Sequence, residues 1–244
     1  YYIYVPMKII TWNCNMAFRK KAGLILAYQP DIIVVPECEH PDKIKFDPAL
    51  PQPSGQLWFG DNPHKGLGIF AYNGYQLKKG RNHQKDLKLI APVIVTRDDK
   101  KFNLFAIWAN NPDDPDGQYV EQVWKAIHFY KRQIRKQQTI LIGDFNSNTI
   151  WDRKYRTGNH SHVVDHLAKK GIQSCYHFHQ KQEQGRELHP TFYLYKRKDK
   201  PYHLDYCFAS MDLLSQLHSI EIGDHETWKA YSDHVPVIAT FLNP

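Results

Sequence analysis

A short apolar run that ends in polar residues lies in the middle of the sequence: Thr139-Ile140-Leu141-Ile142, followed at once by Gly143-Asp144-Phe145-Asn146. An apolar run of this length, rich in β-branched residues, predicts a strand that is buried on both faces. A carboxylate at the end of a buried strand needs a partner, because burying an unpaired charge costs several kcal/mol. The run therefore predicts a central strand with a polar site at its carboxyl end.

Further polar residues stand at the end of, or inside, segments that should be buried: Asn13, Glu37, Asp205, Asp233 and His234. Asp and Asn at strand ends are common turn formers, so each residue taken singly is compatible with a turn. That explanation fails for the set, because Asp205 lies between Leu204 and Tyr206 in an apolar strand and Glu is not a favoured turn residue. The set predicts one shared site, in which these groups need a metal, an imidazole or each other as partners.

The remaining segments predict about a dozen strands and three helices. Helices are expected over residues 17–28, 116–136 and 161–170, and a proline-containing loop is expected over residues 38–54. Strands are expected over residues 7–12, 31–36, 57–60, 66–72, 75–79, 87–97, 101–108, 139–142, 172–177, 191–195, 203–209, 217–222 and 235–241. Two packed sheets flanked by helices are the natural arrangement for this mixture.

The composition predicts one compact, moderately basic domain. Lys and Arg number 32 against 25 Asp and Glu, which gives a formal net charge of +7 and favours an anionic partner. We expect a single domain over residues 7–244, with residues 1–6 as leader or added sequence. No apolar run approaches the roughly 18 residues that a membrane span needs, and no signal peptide is recognisable, so a cytoplasmic protein without membrane contact is expected. The four cysteines form no C-x-x-C pair, which argues against a zinc knuckle or a disulfide scaffold.

Five segments together resemble the endonuclease/exonuclease/phosphatase superfamily, which includes exonuclease III, apurinic endonucleases and deoxyribonuclease I. They are Thr11-Trp12-Asn13, Pro36-Glu37, Gly143-Asp144-Phe145-Asn146-Ser147, His203-Leu204-Asp205-Tyr206 and Ser232-Asp233-His234-Val235-Pro236-Val237. They occur in the order of the superfamily and span residues 9–241. The resemblance implies a four-layer α/β/β/α sandwich of two mixed, mostly antiparallel sheets, and a divalent-metal phosphoesterase.

The resemblance and the residue chemistry together predict a metal centre at Glu37. A hard site of carboxylate oxygens and waters suits Mg²⁺, with Mn²⁺ as a substitute. Asn13 would support Glu37 from the neighbouring strand, and Asp233 would approach the metal.

The resemblance also implies roles in catalysis. Asp144 would accept a proton from the attacking water, and Asn146 would orient that water or the phosphate. His234 would donate to a non-bridging phosphate oxygen, and Asp205 would hold the tautomer and charge of His234.

Two positions depart from the common pattern of the superfamily. Asn15 stands where many relatives carry an acidic residue, which removes one carboxylate from a second metal site. Trp108 stands where relatives place a Tyr or His that contacts the phosphate. An indole donates one hydrogen bond but does not exchange protons, so Trp108 could contact a phosphate, stack on a base or simply belong to the core. Asn110 or Asn111 could fill the same place if the alignment is shifted.

Two basic and aromatic segments are expected to border the site, over residues 151–156 and 195–200. Their predicted substrate-binding residues, together with Trp108, are Trp151, Arg153, Tyr155, Arg156, Lys196 and Arg197. Basic side chains bind backbone phosphates without sequence preference, and aromatic rings stack on bases. We expect a monomeric nuclease that acts on nucleic acid, DNA rather than RNA, and leaves a 5′-phosphate and a 3′-hydroxyl. A small-molecule phosphoesterase and a nucleic-acid-binding pseudoenzyme remain open as alternatives.

Overall fold

Strands dominate the chain, whose computed structural model describes residues 6–87, 89–110, 118–136 and 138–242. The described strands are β1 (Pro6–Thr11), β2 (Ile32–Cys38), β3 (Gly55–Asn62), β4 (Lys65–Ala71), β5 (Gln76–Lys79), β6 (Ile90–Arg97), β7 (Lys100–Trp108), β8 (Thr139–Asp144), β9 (Ile172–Ser174), β10 (Phe192–Tyr193), β11 (Pro201–Tyr202), β12 (Asp205–Ser210), β13 (Leu217–Ile222) and β14 (Val237–Leu242). The α-helices are α1 (Ala22–Leu26), α2 (Val120–Phe129), α3 (Lys131–Lys136), α4 (His160–Ala168), α5 (Cys175–Gln180), α6 (Met211–Leu214) and α7 (His225–Trp228).

The strands form two six-stranded mixed sheets and a small hairpin. The first sheet has the order β13-β14-β1-β2-β4-β3, and the second has the order β5-β6-β7-β8-β12-β9. Strand β1 is parallel to β2 and antiparallel to β14. Strand β8 is parallel to β7 and antiparallel to β12. The carboxyl ends of β1, β2, β7 and β8 can therefore meet the amino ends of β12 and β14.

The two sheets pack face to face over a shared apolar core, which includes Ile9 and Val34 of the first sheet and Leu104 and Ile142 of the second. Alternate residues of each sheet point outward, as the two-residue period of a strand requires. The outward side chains of the second sheet pack against α2 and α4. Those of the first sheet pack against α1 and α7. The expected α/β/β/α sandwich is confirmed.

The helix expected over residues 17–28 is shorter than predicted. Ala17 has a left-handed φ of 52°, and Lys21 has a φ of −125°. These two positions separate a single 3₁₀ turn, Phe18–Lys20, from α1. The chain leaves the helix before Pro30, as the proline predicts, because Gln29 adopts a φ of 53°.

Two other predicted elements also differ from the structure. The helix expected over residues 116–136 is divided at Tyr130 into α2 and α3, and residues 116 and 117 lie outside the described part of the chain. The strand expected over residues 172–177 ends at Ser174. The Ser174 side chain accepts a hydrogen bond from the backbone N–H of His177 and so caps α5, which begins at Cys175.

Strand β1 begins at Pro6, which pairs with Leu242 of β14, so the first sheet includes the residue before the expected domain start. The basic segment around residue 197 forms the turn of the hairpin between β10 and β11. None of the described helices combines the length and the hydropathy that crossing a bilayer would require.

Candidate active site

Polar side chains from both sheets converge at one edge of the sandwich. Asp144 ends β8, and Asp205, which begins β12, lies directly opposite it in the antiparallel register. Asn13 follows β1 and donates a hydrogen bond from Nδ2 to Asp144 Oδ2 over 3.0 Å. His234 precedes β14 and lies next to both carboxylates. The topology therefore brings together residues that lie far apart in the sequence.

His234 is held between the two buried aspartates. Its Nδ1–H donates to Asp205 Oδ2 over 2.8 Å, and its Nε2 lies 3.9 Å from Asp144 Oδ2. Burial disfavours the charged imidazole, but the charges of Asp205 and Asp144 outweigh this effect and raise the pKa of His234 to about 10. The imidazole is therefore a cation at neutral pH, with Nε2 directed toward Asp144.

Asp144 is the most constrained carboxylate of the site. Its Oδ1 accepts the backbone N–H of Asn146 over 2.8 Å, and its Oδ2 accepts Asn146 Nδ2 over 3.2 Å. Burial and the neighbouring charge of Asp205 raise the pKa of Asp144 to about 7, although His234 and Asn13 act in the opposite direction. A carboxylate of this kind can accept a proton near neutral pH.

Unusual backbone conformations position two of these residues. Asn146 has a φ of 47° and Glu37 has a φ of 61°, both in the left-handed region. The register between β2 and β4 shifts from Pro36 to Cys38, so Glu37 is the extra residue of a bulge. Bulges redirect side chains, and strained non-glycine residues of this type cluster at functional sites.

Glu37 presents a partly exposed carboxylate at the same edge, with 19% of its side chain accessible. Asn13 Nδ2 lies 3.4 Å from Glu37 Oε1, and Lys65 Nζ lies 3.2 Å from Glu37 Oε2. The oxygen of the Asn13 amide accepts the backbone N–H of Asn15. Asn13 thus bridges Glu37 and Asp144 as a donor.

The carboxylates of the site fit a hard divalent cation, whereas the protonated His234 has no lone pair to offer one. Ligand atoms of Asp144, Asp205 and His234 lie within 4.8 Å of one another, and Glu37 is joined to this group through Asn13. Asp205 Oδ1 is buried without a hydrogen-bond partner among the described residues. Carboxylate oxygens are the ligands that Mg²⁺ and Mn²⁺ prefer, and Glu37 has the exposure that a partly hydrated ion needs.

Asp233 is half-buried beside His234. Its carboxylate contributes to the raised pKa of His234, and its Oδ1 lies 3.4 Å from Ser232 Oγ. Asn15 is also half-buried, and its carbonyl accepts a hydrogen bond from the ammonium of Lys21. These contacts place Asp233 near the imidazole. They also make the Asn15 backbone part of the loop that follows β1.

Trp108 ends β7 directly opposite Asp144 in the parallel register. Its side chain is buried, with only 4% of the residue accessible, and belongs to the core between the sheets. The ammonium of Lys65 lies 5.3 Å from the centre of its ring. The backbone N–H of Asn110 donates to the Trp108 carbonyl, and Asn111 lies outside the described residues.

The segment after Asn146 lines a cavity of about 280 Å³. Trp151 and Arg153 contribute exposed side chains to it, and Tyr155 nearby is 91% exposed. Arg156, which was predicted to bind substrate, donates from Nε to the Glu121 carboxylate over 2.6 Å. Its charge is therefore already paired.

The hairpin turn between β10 and β11 likewise contains an exposed basic residue and a paired one. Lys196 is exposed, whereas Arg197 forms an ion pair with Asp199, with Nη2 and Oδ2 separated by 2.6 Å. Tyr195 at the same turn is exposed. Arg197 is thus the second predicted phosphate ligand whose charge is paired within the protein.

The sequence interpretation missed two residues of the site. Lys65 contacts Glu37, and the centre of the Phe192 ring lies 4.6 Å from the centre of the His234 ring. A lysine directly before the apolar residues of β4 is a weak sequence signal for the first. Phe192 stands only in an apolar hairpin strand, which carries no such signal.

A two-sheet sandwich with carboxylates, an imidazole and an amide gathered at one edge defines a class of hydrolases that act on phosphate esters. The chain belongs to the Endonuclease/Exonuclease/phosphatase family, whose sequence model matches residues 10–234. The superfamily resemblance of the five sequence segments is therefore confirmed. Nucleases and phosphatases of this family hydrolyse phosphate ester bonds.

Solved structures share the fold at low sequence identity. The AP endonuclease LMAP from Leishmania major has a TM-score of 0.67 at 14% identity, over 98% of this chain and 88% of that chain. The 3′-5′ exonuclease NExo from Neisseria meningitidis has a TM-score of 0.65 at 19% identity, over 96% and 99% of the two chains. The endonuclease domain of the telomere-specific retrotransposon TRAS1 has a TM-score of 0.63 at 16% identity, over 97% and 98%. A search of curated protein sequences gave no significant match.

Proposed function

We propose that this protein is a divalent-metal-dependent nuclease that hydrolyses phosphodiester bonds, in DNA rather than RNA. One observation carries the proposal: the His234 imidazole, paired with Asp205 over 2.8 Å, directs its other nitrogen toward Asp144 at 3.9 Å. A cationic donor beside a proton-accepting carboxylate can stabilise the growing charge of the phosphate and take a proton from the attacking water.

Glu37 is the residue that we assign to hold the metal ion, Mg²⁺ or in its place Mn²⁺. Asn13 would orient the Glu37 carboxylate through its amide, and Asp233 would lie beside the site. When bound, the ion supplies a positive charge that lowers the electrostatic barrier to attack on the phosphate.

Asp144 and Asn146 are assigned to the attacking water. Asp144 would accept its proton, for which a pKa raised to about 7 is suited. Asn146 would orient the water or the phosphate, since its side chain already contacts Asp144. The water oxygen forms a bond to phosphorus as the bond to the 3′ oxygen breaks, and the departing 3′ oxyanion takes a proton from solvent water.

His234 would donate from Nε2 to a non-bridging phosphate oxygen and stabilise its growing charge. Asp205 acts through His234, because the hydrogen bond to Nδ1 leaves Nε2 free for the substrate. The products of this scheme carry a 5′-phosphate and a 3′-hydroxyl.

The formal net charge of +7 and the exposed side chains bordering the site support a nucleic-acid substrate. Arg153 and Lys196 are the exposed cations that we assign to backbone phosphates, and Trp151 and Tyr155 are assigned to bases. Arg156 and Arg197 contribute less, since Glu121 and Asp199 neutralise them. DNA is proposed because the 3′ phosphatase NExo from Neisseria, which has this fold, is known bound to a product DNA hairpin.

Plasmid nicking and cleavage of labelled oligonucleotides test the proposal. Cleavage should require Mg²⁺ or Mn²⁺, stop with EDTA, and be lost in Glu37→Gln, Asp144→Asn and His234→Ala. Asp99→Asn is the matched control, because it makes the same carboxylate-to-amide change in the exposed turn between β6 and β7. Salt-sensitive binding without cleavage would instead indicate a pseudoenzyme, and hydrolysis of soluble phosphate esters alone would indicate a small-molecule phosphoesterase.

A further inference from the structure

Lys65 brings a positive charge directly onto the carboxylate that we assign to the metal. Its Nζ lies 3.2 Å from Glu37 Oε2, and the side chains of Lys65 and Glu37 are 37% and 19% accessible. The pair is therefore only partly exposed, and water screens it less than it screens a pair on the open surface.

The fold holds Lys65 in this place. Lys65 begins β4, and the next residue, Gly66, pairs with Cys38 immediately after the bulge at Glu37. The face of Trp108 lies on another side of the ammonium, with its ring centre 5.3 Å away. An ammonium over an indole face is stabilised by the negative potential of the ring. The position of the charge thus depends on β2, β4 and β7 together.

Both oxygens of Glu37 already face a donor in this arrangement. Oε2 faces the Lys65 ammonium, and Oε1 faces Asn13 Nδ2 at 3.4 Å. A divalent ion that binds the carboxylate has to compete with the ammonium for the same negative charge. Two cations on one carboxylate repel each other, so binding of the ion and the Lys65 contact oppose one another.

We propose that Lys65 is the resident counter-ion of Glu37 and that it sets the concentration of divalent ion at which the site fills. In the metal-free protein the ammonium neutralises the carboxylate, and the incoming ion displaces it. The inference rests on the proposed function in one respect only, the assignment of Glu37 as the metal ligand.

Direct measurement of Mn²⁺ binding, without nucleic acid, tests the inference. Isothermal titration calorimetry and the EPR signal of free Mn²⁺ give the dissociation constant of the folded protein. Lys65→Met removes the charge and keeps an unbranched side chain against Trp108. We expect it to bind Mn²⁺ about two- to fivefold more tightly, from the range measured for partly exposed ion pairs.

Two control variants isolate the effect of this charge. Lys65→Arg keeps a cation next to Glu37 and should not show the tighter binding of Lys65→Met, because a guanidinium also competes with the ion for the carboxylate. Lys78→Met makes the same change in net charge on the edge strand β5, where Lys78 is exposed, and should leave the affinity unchanged. The gain in Lys65→Met should also shrink as the salt concentration rises.

Combination with Glu37→Gln separates the two hypotheses. The double variant Lys65→Met/Glu37→Gln should show no gain over Glu37→Gln, because the competing pair is absent from both. Wild-type or weaker Mn²⁺ binding by Lys65→Met, with weaker binding by Glu37→Gln, overturns the role of Lys65 and leaves the metal site intact. If Glu37→Gln binds Mn²⁺ as well as the wild type, the metal assignment itself is wrong and the inference falls with it.

Discussion

Asp205 and Asp144 are direct cross-strand partners, and both are fully buried. Two adjacent buried carboxylates repel each other strongly unless a cation or a proton relieves them. The His234 imidazole supplies that charge through Nδ1 to Asp205 and faces Asp144 through Nε2. The register of one strand pair thereby favours an imidazolium at His234.

Asp205→Asn should remove the charge that holds His234 protonated and weaken the preference for the productive tautomer. We expect kcat/KM for oligonucleotide cleavage to fall by roughly 10³- to 10⁴-fold, by analogy with the loss of an orienting carboxylate in a catalytic triad. NMR titration of the His234 ring should show a lower pKa than in the wild type. An unchanged ring pKa, with the fold intact by circular dichroism, would contradict the positioning role of Asp205.

Arg153→Ala should weaken oligonucleotide binding more than Arg156→Ala does. Arg153 is exposed, whereas the Arg156 guanidinium is paired with Glu121. Each phosphate contact that is lost should reduce the slope of log binding constant against log salt by about one. Fluorescence anisotropy in EDTA across a series of salt concentrations measures both slopes. Equal effects of the two substitutions would show that the Arg156 pair opens on binding.

Glu187→Gln should destabilise the protein at neutral pH. Burial opposes the charge of Glu187, but hydrogen bonds from His177 and from the Gly185 N–H outweigh it and lower the pKa of Glu187 to about 2. A folded-state pKa below the unfolded value contributes stability above about pH 4.3, which is lost as the pH falls toward 2. Glu187→Gln should therefore lower the free energy of unfolding by about 1–3 kcal/mol at pH 7, with the difference shrinking below pH 4.

Urea unfolding as a function of pH measures this effect. Glu183→Gln is the matched control, because Glu183 lies in the same loop and is exposed. The other oxygen of Glu187 accepts Asn148 Nδ2 over 3.1 Å, two residues after Asn146. Glu187→Gln should for this reason also lower kcat while KM changes less. Equal stabilities of wild type and Glu187→Gln across the pH range would exclude the linkage.

Two buried neutral histidines should make the protein sensitive to mild acid. The Nδ1–H of His203 donates to the His189 carbonyl, and His160 Nδ1 lies 2.7 Å from Ser147 Oγ. Burial lowers the pKa of both His160 and His203 to about 4. The unfolded chain binds more protons than the folded protein between pH 6.5 and 4, so stability should fall as the pH falls through that range.

His203→Gln isolates one of these contributions. We expect the slope of unfolding free energy against pH between 4 and 6.5 to decrease. The drop in unfolding free energy from pH 6.5 to pH 4 should be smaller than in the wild type by on the order of 1–3 kcal/mol. The absolute stability of this variant also changes, so the slope is the relevant quantity. His64→Gln changes an exposed histidine and should leave the slope as in the wild type. A slope unaffected by His203→Gln would mean that His203 titrates normally.

Gly143→Ala should be among the most damaging small substitutions in the chain. Gly143 has a φ of 145°, and an added Cβ would lie 1.9 Å from the Ile107 carbonyl oxygen. Either β7 or β8 would have to move, which would displace Asp144. We expect a loss of more than about 3 kcal/mol in unfolding free energy, measured by thermal or urea unfolding.

Gly23→Ala is the control for this substitution. Gly23 lies in α1, where an added Cβ would make ordinary contact with Leu50 at 3.7 Å. Alanine in a helix is favoured over glycine by about 0.5–1 kcal/mol, so this variant should be as stable as the wild type or more so. Tolerance of Gly143→Ala at wild-type stability would contradict the close approach of the two strands.

Much of the fold was accessible from local patterns. The apolar run at residues 139–142 and the segments at Asn13, Glu37, Asp205 and His234 predicted strands that end in polar groups, and the sandwich follows from their number and order. Such predictions succeed because strand periodicity is a property of neighbouring residues. The strand expected over residues 172–177 was wrong because the Ser174 side chain caps a helix, which outweighs the local preference for an extended chain.

The partners of the polar side chains were decided by tertiary structure. Sequence alone marked Arg156 as a phosphate ligand, but the packing of the loop after Asn146 places it on Glu121. The sequence likewise contained only a weak signal for Lys65 and did not predict its contact with Glu37, because that contact depends on a bulge and on the pairing of β2 with β4. The sequence therefore predicted the kinds of group in the site. Strand register and packing determined which charges neutralise one another and which remain available to a ligand. Coulomb energies depend on distances between groups, and no local sequence pattern contains those distances.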